Sequence, residues 1–223
     1  MVLSLVFGSS GGIGGALVAA IGPGAVGFSR AGTPPFDITD EASVAAAAAR
    51  VRGLGEPPGL IIVATGMLHG QGVMPEKTYA AITPETLARY FAINAIGPAL
   101  IMKHFLPLLP KAEEARFAVL SARVGSITDN AIGGWYGYRA AKAALNQLLR
   151  SAAIELQRTR PLSVCVALHP GTVASNLSAP FAKAGLQVRP PACAAADLLG
   201  VLNGLGPADT GMFYAYDGTK IPW

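Results

Sequence analysis

The stretch Ser4-Leu5-Val6-Phe7-Gly8-Ser9-Ser10-Gly11-Gly12-Ile13-Gly14 decides the fold. The apolar run Val2 to Phe7 ends abruptly in glycine, as a strand buried on both faces does. Gly12 to Ile21 then reads as a helix. A strand that turns through glycines into a helix is a ready anion site. Glycine lets the backbone approach a diphosphate, and the helix N-terminus offers unpaired N–H groups and the positive end of its dipole.

Outward from that turn, apolar runs and helical stretches alternate. Ala25 to Phe28 reads as strand, Asp40 to Val51 as an Ala-rich helix capped by Asp40, and Leu60 to Ala64 as strand. Thr83-Pro84-Glu85 opens a long helix towards Phe105, with Thr83 as cap and Pro84 in the first turn. Phe117 to Leu120 reads as strand, Tyr136 to Gln157 as helix, Ser163 to Leu168 as strand, Ala192 to Leu202 as helix and Met212 to Ala215 as a last strand. Such alternation predicts an α/β fold: a Rossmann-type, doubly wound parallel sheet in three α/β/α layers, one domain over residues 1–223.

Composition agrees. Apolar residues make up 52% of the 223 and charged residues 13%, which excludes a disordered chain. Residues 1–29 carry no charged side chain. Their eight glycines and Pro23, with no basic leader, fit neither a spanning helix nor a signal peptide, so no membrane partner is expected. The net charge of +4, with no basic cluster, gives no nucleic-acid footprint. Cys165 and Cys193 form no CxxC pair, and no His cluster has ligand spacing. This points to a cytoplasmic protein in which both are buried thiols, with no disulfide and no metal.

The turn reads GxxxGxG over Gly8, Gly12 and Gly14. A literal GxGxxG at Gly22 to Gly27 precedes a strand instead of opening a helix, and Pro23 removes a donor, so it is set aside. The second strand ends in Ser29-Arg30. A carboxylate there would suit the ribose hydroxyl of NAD, whereas Arg30 suits a 2′-phosphate and so points to NADP, with NAD as the alternative. Asp37, in Phe36-Asp37-Ile38, stands where a third strand should end and is placed at the adenine edge. Further along, Tyr138 and Lys142 lie four apart on one helix face. An ammonium beside a phenol favours the phenolate and draws its pKa towards the working range.

With GxxxGxG and YxxxK in this order, the chain resembles the short-chain dehydrogenase/reductase family along essentially its whole length. Ala64-Thr65-Gly66, Asn94-Ala95-Ile96-Gly97 and Pro170-Gly171-Thr172-Val173 add to the likeness. Ser121 to Ile127, Gly133-Gly134-Trp135-Tyr136 and the ending Asp217-Gly218 to Pro222-Trp223 look most like its C-factor-like subgroup. The resemblance implies Tyr138 as general acid/base, Lys142 as its helper and ribose contact, Asn94 as holder of a relay water, and Val173 at the carboxamide. The cofactor contacts it implies are Gly8, Ser9, Ser10, Gly12, Ile13, Gly14, Ser29, Arg30, Asp37, Ile38, Ala64, Thr65, Gly66, Tyr138, Lys142, Pro170, Gly171 and Val173.

The family's substrate-orienting serine is ambiguous here. Counted back from Gly125 the position is Ala122; counted back from Tyr138 it is Gly125. Ser126 is the first choice and Ser121 the second. Only eight residues lead from Ser29 to Asp37, too few for a crossover helix, so the adenosine end should be open. His69 follows a strand near the expected cleft, whereas His104 and His169 read as structural. Residues 175–190 form a candidate substrate lid. The expectation is an NADP(H)-linked oxidoreductase acting on a small carbonyl or alcohol, assembled as a homodimer or homotetramer. A regulatory nucleotide-binding protein and a pterin or quinonoid reductase are the alternatives.

Overall fold

The computed structural model describes residues 2–70, 72–175, 177–181 and 188–223. Six parallel strands form one sheet in the order β2-β1-β3-β4-β5-β6: β1 Ser4–Phe7, β2 Ala25–Phe28, β3 Leu60–Val63, β4 Ala115–Leu120, β5 Ser163–His169 and β6 Phe213–Ala215. The helices are α1 Gly12–Ile21, α2 Glu41–Arg52, α3 Pro84–Phe91, α4 Gly97–Phe105, α5 Tyr136–Thr159 and α6 Pro191–Gly204. The expected caps are present: Asp40 accepts from Ala42 N at 3.0 Å and Thr83 from Thr86 N at 3.2 Å.

Side chains of β1 alternate between two cores, as a strand buried on both faces requires. Leu5 and Phe7 join Val44, Ile101, Phe105, Leu145 and Leu149 beneath α2, α4 and α5. Val6 joins Leu17, Ile62, Val166 and Leu198 beneath α1 and α6. Of the two thiols expected to be buried, Cys165 is, whereas Cys193 is exposed because it falls on the outer face of α6's first turn. A third, small cluster of Leu68, Tyr90, Tyr138 and Ala141 sits beyond the strand ends.

One expected strand does not form. Residues 29–39 contain neither helix nor strand, so Asp37 ends a loop and β2 is the sheet edge. Pro34 and Pro35 are the reason: neither has the N–H a ladder requires. The segment instead turns back, Phe36 N donating to Ser29 O at 2.9 Å. It drives Phe36 into the core, 5.2 Å from the Phe7 ring and 5.7 Å from Phe28. Ile38 packs on Gly97, where a Cβ would lie 2.7 Å from its side chain. Two buried side chains thus replace a crossover.

The expected long helix forms, but its winding is not uniform. Ala92–Ile96, between α3 and α4, is wound as a π-helix that carries Asn94, a feature common at functional sites. Pro84–Leu108 as a whole is long and apolar enough to span a membrane, with mean hydropathy 1.3. Many of its apolar side chains pack within the fold, α4 against α2 and α5 and α3 against α5, with Tyr90, Ile101 and Phe105 fully buried.

Candidate active site

The strand order reverses at β1, between β2 and β3, and both strand ends there carry glycine. Such a switch point is where doubly wound sheets bind nucleotides. Gly8 has φ +87°, and a Cβ on it would lie 3.0 Å from the Ala64 carbonyl. Gly8 N and Ser9 N both donate to Phe28 O, at 2.8 and 3.1 Å, which ties the turn to β2. A Cβ on Gly14 would stand 2.1 Å from Gly8 O, so the turn closes only over glycine. Gly11 caps α1 without a side chain, leaving the helix N-terminus to an outside acceptor. Thr65 Oγ1 is buried beside this turn with no partner among the described residues. A close-packed glycine cradle, an uncapped helix end and an orphan hydroxyl fit the diphosphate of a dinucleotide. Arg30 and Asp37 lie at the outer end, both exposed. Two bonds from Thr39, backbone and then hydroxyl, hold the Asp37 carboxyl below its usual range, and Arg30 adds to this.

Tyr138 and Lys142 lie on α5, both buried, with Lys142 Nζ 5.9 Å from the phenol ring centre. Lys142 donates to Leu120 O at 2.8 Å. Gly125 lets α5 come this close, since a Cβ there would press within 2.8 Å of Lys142 Cβ. Burial pushes the Tyr138 phenol up, with Tyr90 adding to it, and pushes the Lys142 ammonium down to about 7. The expected lowering of the phenol by the ammonium is therefore outweighed by desolvation. Asn94 is fully buried and clamps the loop after β3. Its Oδ1 accepts from Met67 N at 2.9 Å and its Nδ2 donates to Met67 O at 2.8 Å. Both ends of the amide are thus committed to backbone. The clamp brings Gly66 close: a Cβ on it would lie 3.3 Å from Asn94 Oδ1 and 3.8 Å from Lys142 Nζ. Tyr138, Lys142, Asn94 and Gly66 form one constellation.

The two candidate serines are engaged elsewhere. Ser121 Oγ donates to Asn146 Oδ1 at 2.6 Å, and Ser126 Oγ accepts from Asp129 N at 3.1 Å. It is Ala122 that packs on the cluster around Tyr138. That is the position counted back from Gly125, where the β4–α5 loop returns to Lys142; the position counted back from Tyr138 is Gly125 itself.

Several residues of the site gave no sequence signal because their partners are remote. Glu76 is 4% exposed. Its Oε2 accepts from Gly137 N at 3.1 Å and its carbonyl from Trp135 N at 2.6 Å, which fastens the start of α5. Its Oε1 has no partner among the described residues. Arg189 pins the Pro170–Ala174 loop. It donates to Pro170 O at 3.3 Å, pairs with Asp197, and lies 3.9 Å over the Tyr216 ring. Gly171, at φ +76°, is needed there because a Cβ would sit 2.9 Å from that ring. His69 lies 5.6 Å from the Phe181 ring. The candidate lid is described only in part: Asn176 and residues 182–187, including Gly185, lie outside the described residues.

A nucleotide cradle at the switch point, with a Tyr–Lys pair beside it, defines a nicotinamide-dependent oxidoreductase. Comparison with known proteins agrees. The family model for the short chain dehydrogenases matches residues 27–184. C-signal of Myxococcus xanthus is 39% identical over 138 residues, 61% of this chain and 78% of that protein. The 1-hydroxy-2-glutathionyl-2-methyl-3-butene dehydrogenase of Rhodococcus sp. (strain AD45) is 33% identical over 190 residues, 85% of this chain and 79% of the other. Among solved structures, the NADPH-bound carbonyl reductase from chicken fatty liver has a TM-score of 0.80 at 27% identity, covering 100% of this chain and 99% of that one. Carbonyl reductase Sniffer of D. melanogaster has a TM-score of 0.84 at 22% identity over 100% of both chains, a likeness of fold. The chain belongs to the short-chain dehydrogenase/reductase family and is an NAD(P)-dependent oxidoreductase of it.

Proposed function

We propose that this protein reduces small-molecule carbonyl compounds with NADPH, Tyr138 giving the proton to the carbonyl oxygen. The observation that carries this is the burial of the Tyr138 phenol together with the Lys142 ammonium, beside Gly66 and Asn94. Burial keeps the phenol protonated, so it can serve as the proton donor that reduction of a carbonyl needs. Gly8–Gly14 and the α1 N-terminus would hold the diphosphate, Arg30 the 2′-phosphate, and the Pro170–Val173 loop the nicotinamide end. The bound dinucleotide supplies hydride; the chain supplies alignment and the proton. NADPH in the chicken reductase supports the choice of cofactor.

The test is Tyr138→Phe. Loss of NADPH-dependent turnover across a carbonyl panel, on the order of 10²–10⁴-fold, is expected, with NADPH affinity by fluorescence titration retained. Unchanged turnover would refute the role of Tyr138, and tighter binding of NADH than NADPH would refute the cofactor. Ala122, which puts a methyl where a substrate-orienting hydroxyl is expected, favours a second reading, a nucleotide-binding regulator with little turnover. A Tyr138→Phe protein that kept its cellular role while still requiring NADPH would support it.

A further inference from the structure

Trp135 is the sole non-glycine residue with positive φ among the described residues, at φ 52° and ψ 42°. A bulky side chain in the left-handed region is an outlier that persists only where its surroundings enforce it. Here they do. Gly133 and Gly134 precede it at φ 69° and 66°, so three residues in a row are left-handed. Trp135 N is held by Glu76 O, and Arg139 N returns to Trp135 O at 2.8 Å. The Arg139 guanidinium donates to Gly134 O at 3.0 Å, Gly133 O at 3.1 Å and Val124 O at 3.3 Å. The result is an indole fixed edge-on beside the phenol. Its ring lies 6.3 Å from Tyr138 and 5.1 Å from Phe181, at 72° and 63°. Met67, Ala122 and Val124, all half-buried, extend the same wall.

A carbonyl whose oxygen met the Tyr138 phenol would bring its substituents to the neighbouring rings of Trp135 and Phe181. We infer that Trp135 is a specificity-determining residue and that the site takes planar aryl or quinonoid carbonyl compounds in preference to saturated ones. Flat π-systems gain from offset and edge contacts with the rings of Trp135 and Phe181 that a puckered ring cannot make. Ala122 contributes no hydroxyl to orient the oxygen, which leaves ring contact as the means of holding the substrate. The step balances as an ordinary reduction. Hydride from the reduced nicotinamide forms the C–H bond, the Tyr138 proton forms the O–H bond, and the C=O π bond is lost as the nicotinamide is oxidised. This substrate class rests on the reductase assignment made above.

The experiment compares phenyl methyl ketone with cyclohexyl methyl ketone, which share a skeleton and differ in planarity. The aryl ketone is the less electrophilic, so a preference for it has to come from binding. With the intact protein and NADPH, a KM about three- to tenfold lower for the phenyl compound is expected. Trp135→Gly relieves the left-handed strain and so keeps the fold, which a melting curve checks. It should raise the phenyl KM more than the cyclohexyl KM and so erase that preference, while Trp135→Phe keeps most of it. A second readout needs no turnover. In a Trp223→Phe background Trp135 is the sole tryptophan, and its fluorescence in the NADP-bound protein should be quenched saturably by the phenyl ketone and not by the cyclohexyl one. Equal KM values, an unchanged preference in Trp135→Gly, or quenching without saturation would each overturn the proposal. Saturable quenching with no turnover of any carbonyl would instead overturn the reductase assignment and leave the aryl site standing.

Discussion

At Gly8–Gly14 the wall of the cleft is main chain, while at Met67, Ala122, Val124 and Trp135 it is side chain. The first region stands on consecutive residues, and its contacts are set by the absence of Cβ atoms: a methyl on Gly14 would strike Gly8 O at 2.1 Å. The second gathers residues from the β3–α3 loop and the β4–α5 loop, and holds them with Glu76 and Arg139. A backbone-built site leaves its mark in sequence as glycine spacing. A side-chain-built site is written in pairs such as Glu76 with Gly137, 61 residues apart, that no local pattern displays. The two regions therefore predict different responses to substitution.

The largest effect is expected on the main-chain side. Gly14→Ala must open the turn or push α1 off the sheet, at a cost of about 1–3 kcal/mol or more, with loss of dinucleotide binding. Gly200→Ala is the matched control. Its Cβ would meet nothing within 4 Å on α6, and replacing glycine in a helix should stabilise by up to about 1 kcal/mol. Urea unfolding and NADPH titration of the pair decide the matter. If Gly14→Ala binds NADPH normally, the cradle is not the diphosphate site.

An intermediate effect is expected at Glu76, which joins the two regions by fixing the start of α5. Glu76→Ala leaves Gly137 N buried without its acceptor, costing about 1–3 kcal/mol, and should lower kcat as Tyr138 loses its fixed helix end. Glu76→Gln keeps an acceptor for Gly137 N and should recover most of the stability. Equal losses in the two variants would show that the charge matters, not the bond.

How much was legible follows from the same contrast. The parallel sheet was readable because its strands are continuous apolar runs, and α2 and α3 were readable from Asp40 and Thr83. The glycine cradle and the Tyr138–Lys142 pair were readable because each is local. The strand expected up to Asp37 was not excluded, although Pro34-Pro35 forbids it; the packing of Phe36 against Phe7 that replaces it is long-range. Ser121 and Ser126 attracted attention as hydroxyls near the right spacing. Their partners Asn146 and Asp129 could be identified only once β4, the 126–135 loop and α5 were assembled.

The smallest expected effect concerns Ala122, where the two regions can be made alike. Ala122→Ser adds one oxygen to a half-buried position on the Tyr138 cluster, too little volume to disturb the core. A hydroxyl there could donate to the carbonyl oxygen alongside Tyr138, a neutral hydrogen bond worth about 0.5–1.5 kcal/mol, or roughly two- to twelvefold in rate. If ring contact now holds the substrate, the gain should be greater for cyclohexyl methyl ketone than for the phenyl compound, because the saturated ketone has more orientation to gain. A gain that is equal for both ketones would mean that the hydroxyl acts on chemistry alone. A loss for both would mean that the methyl of Ala122 is itself part of the substrate wall.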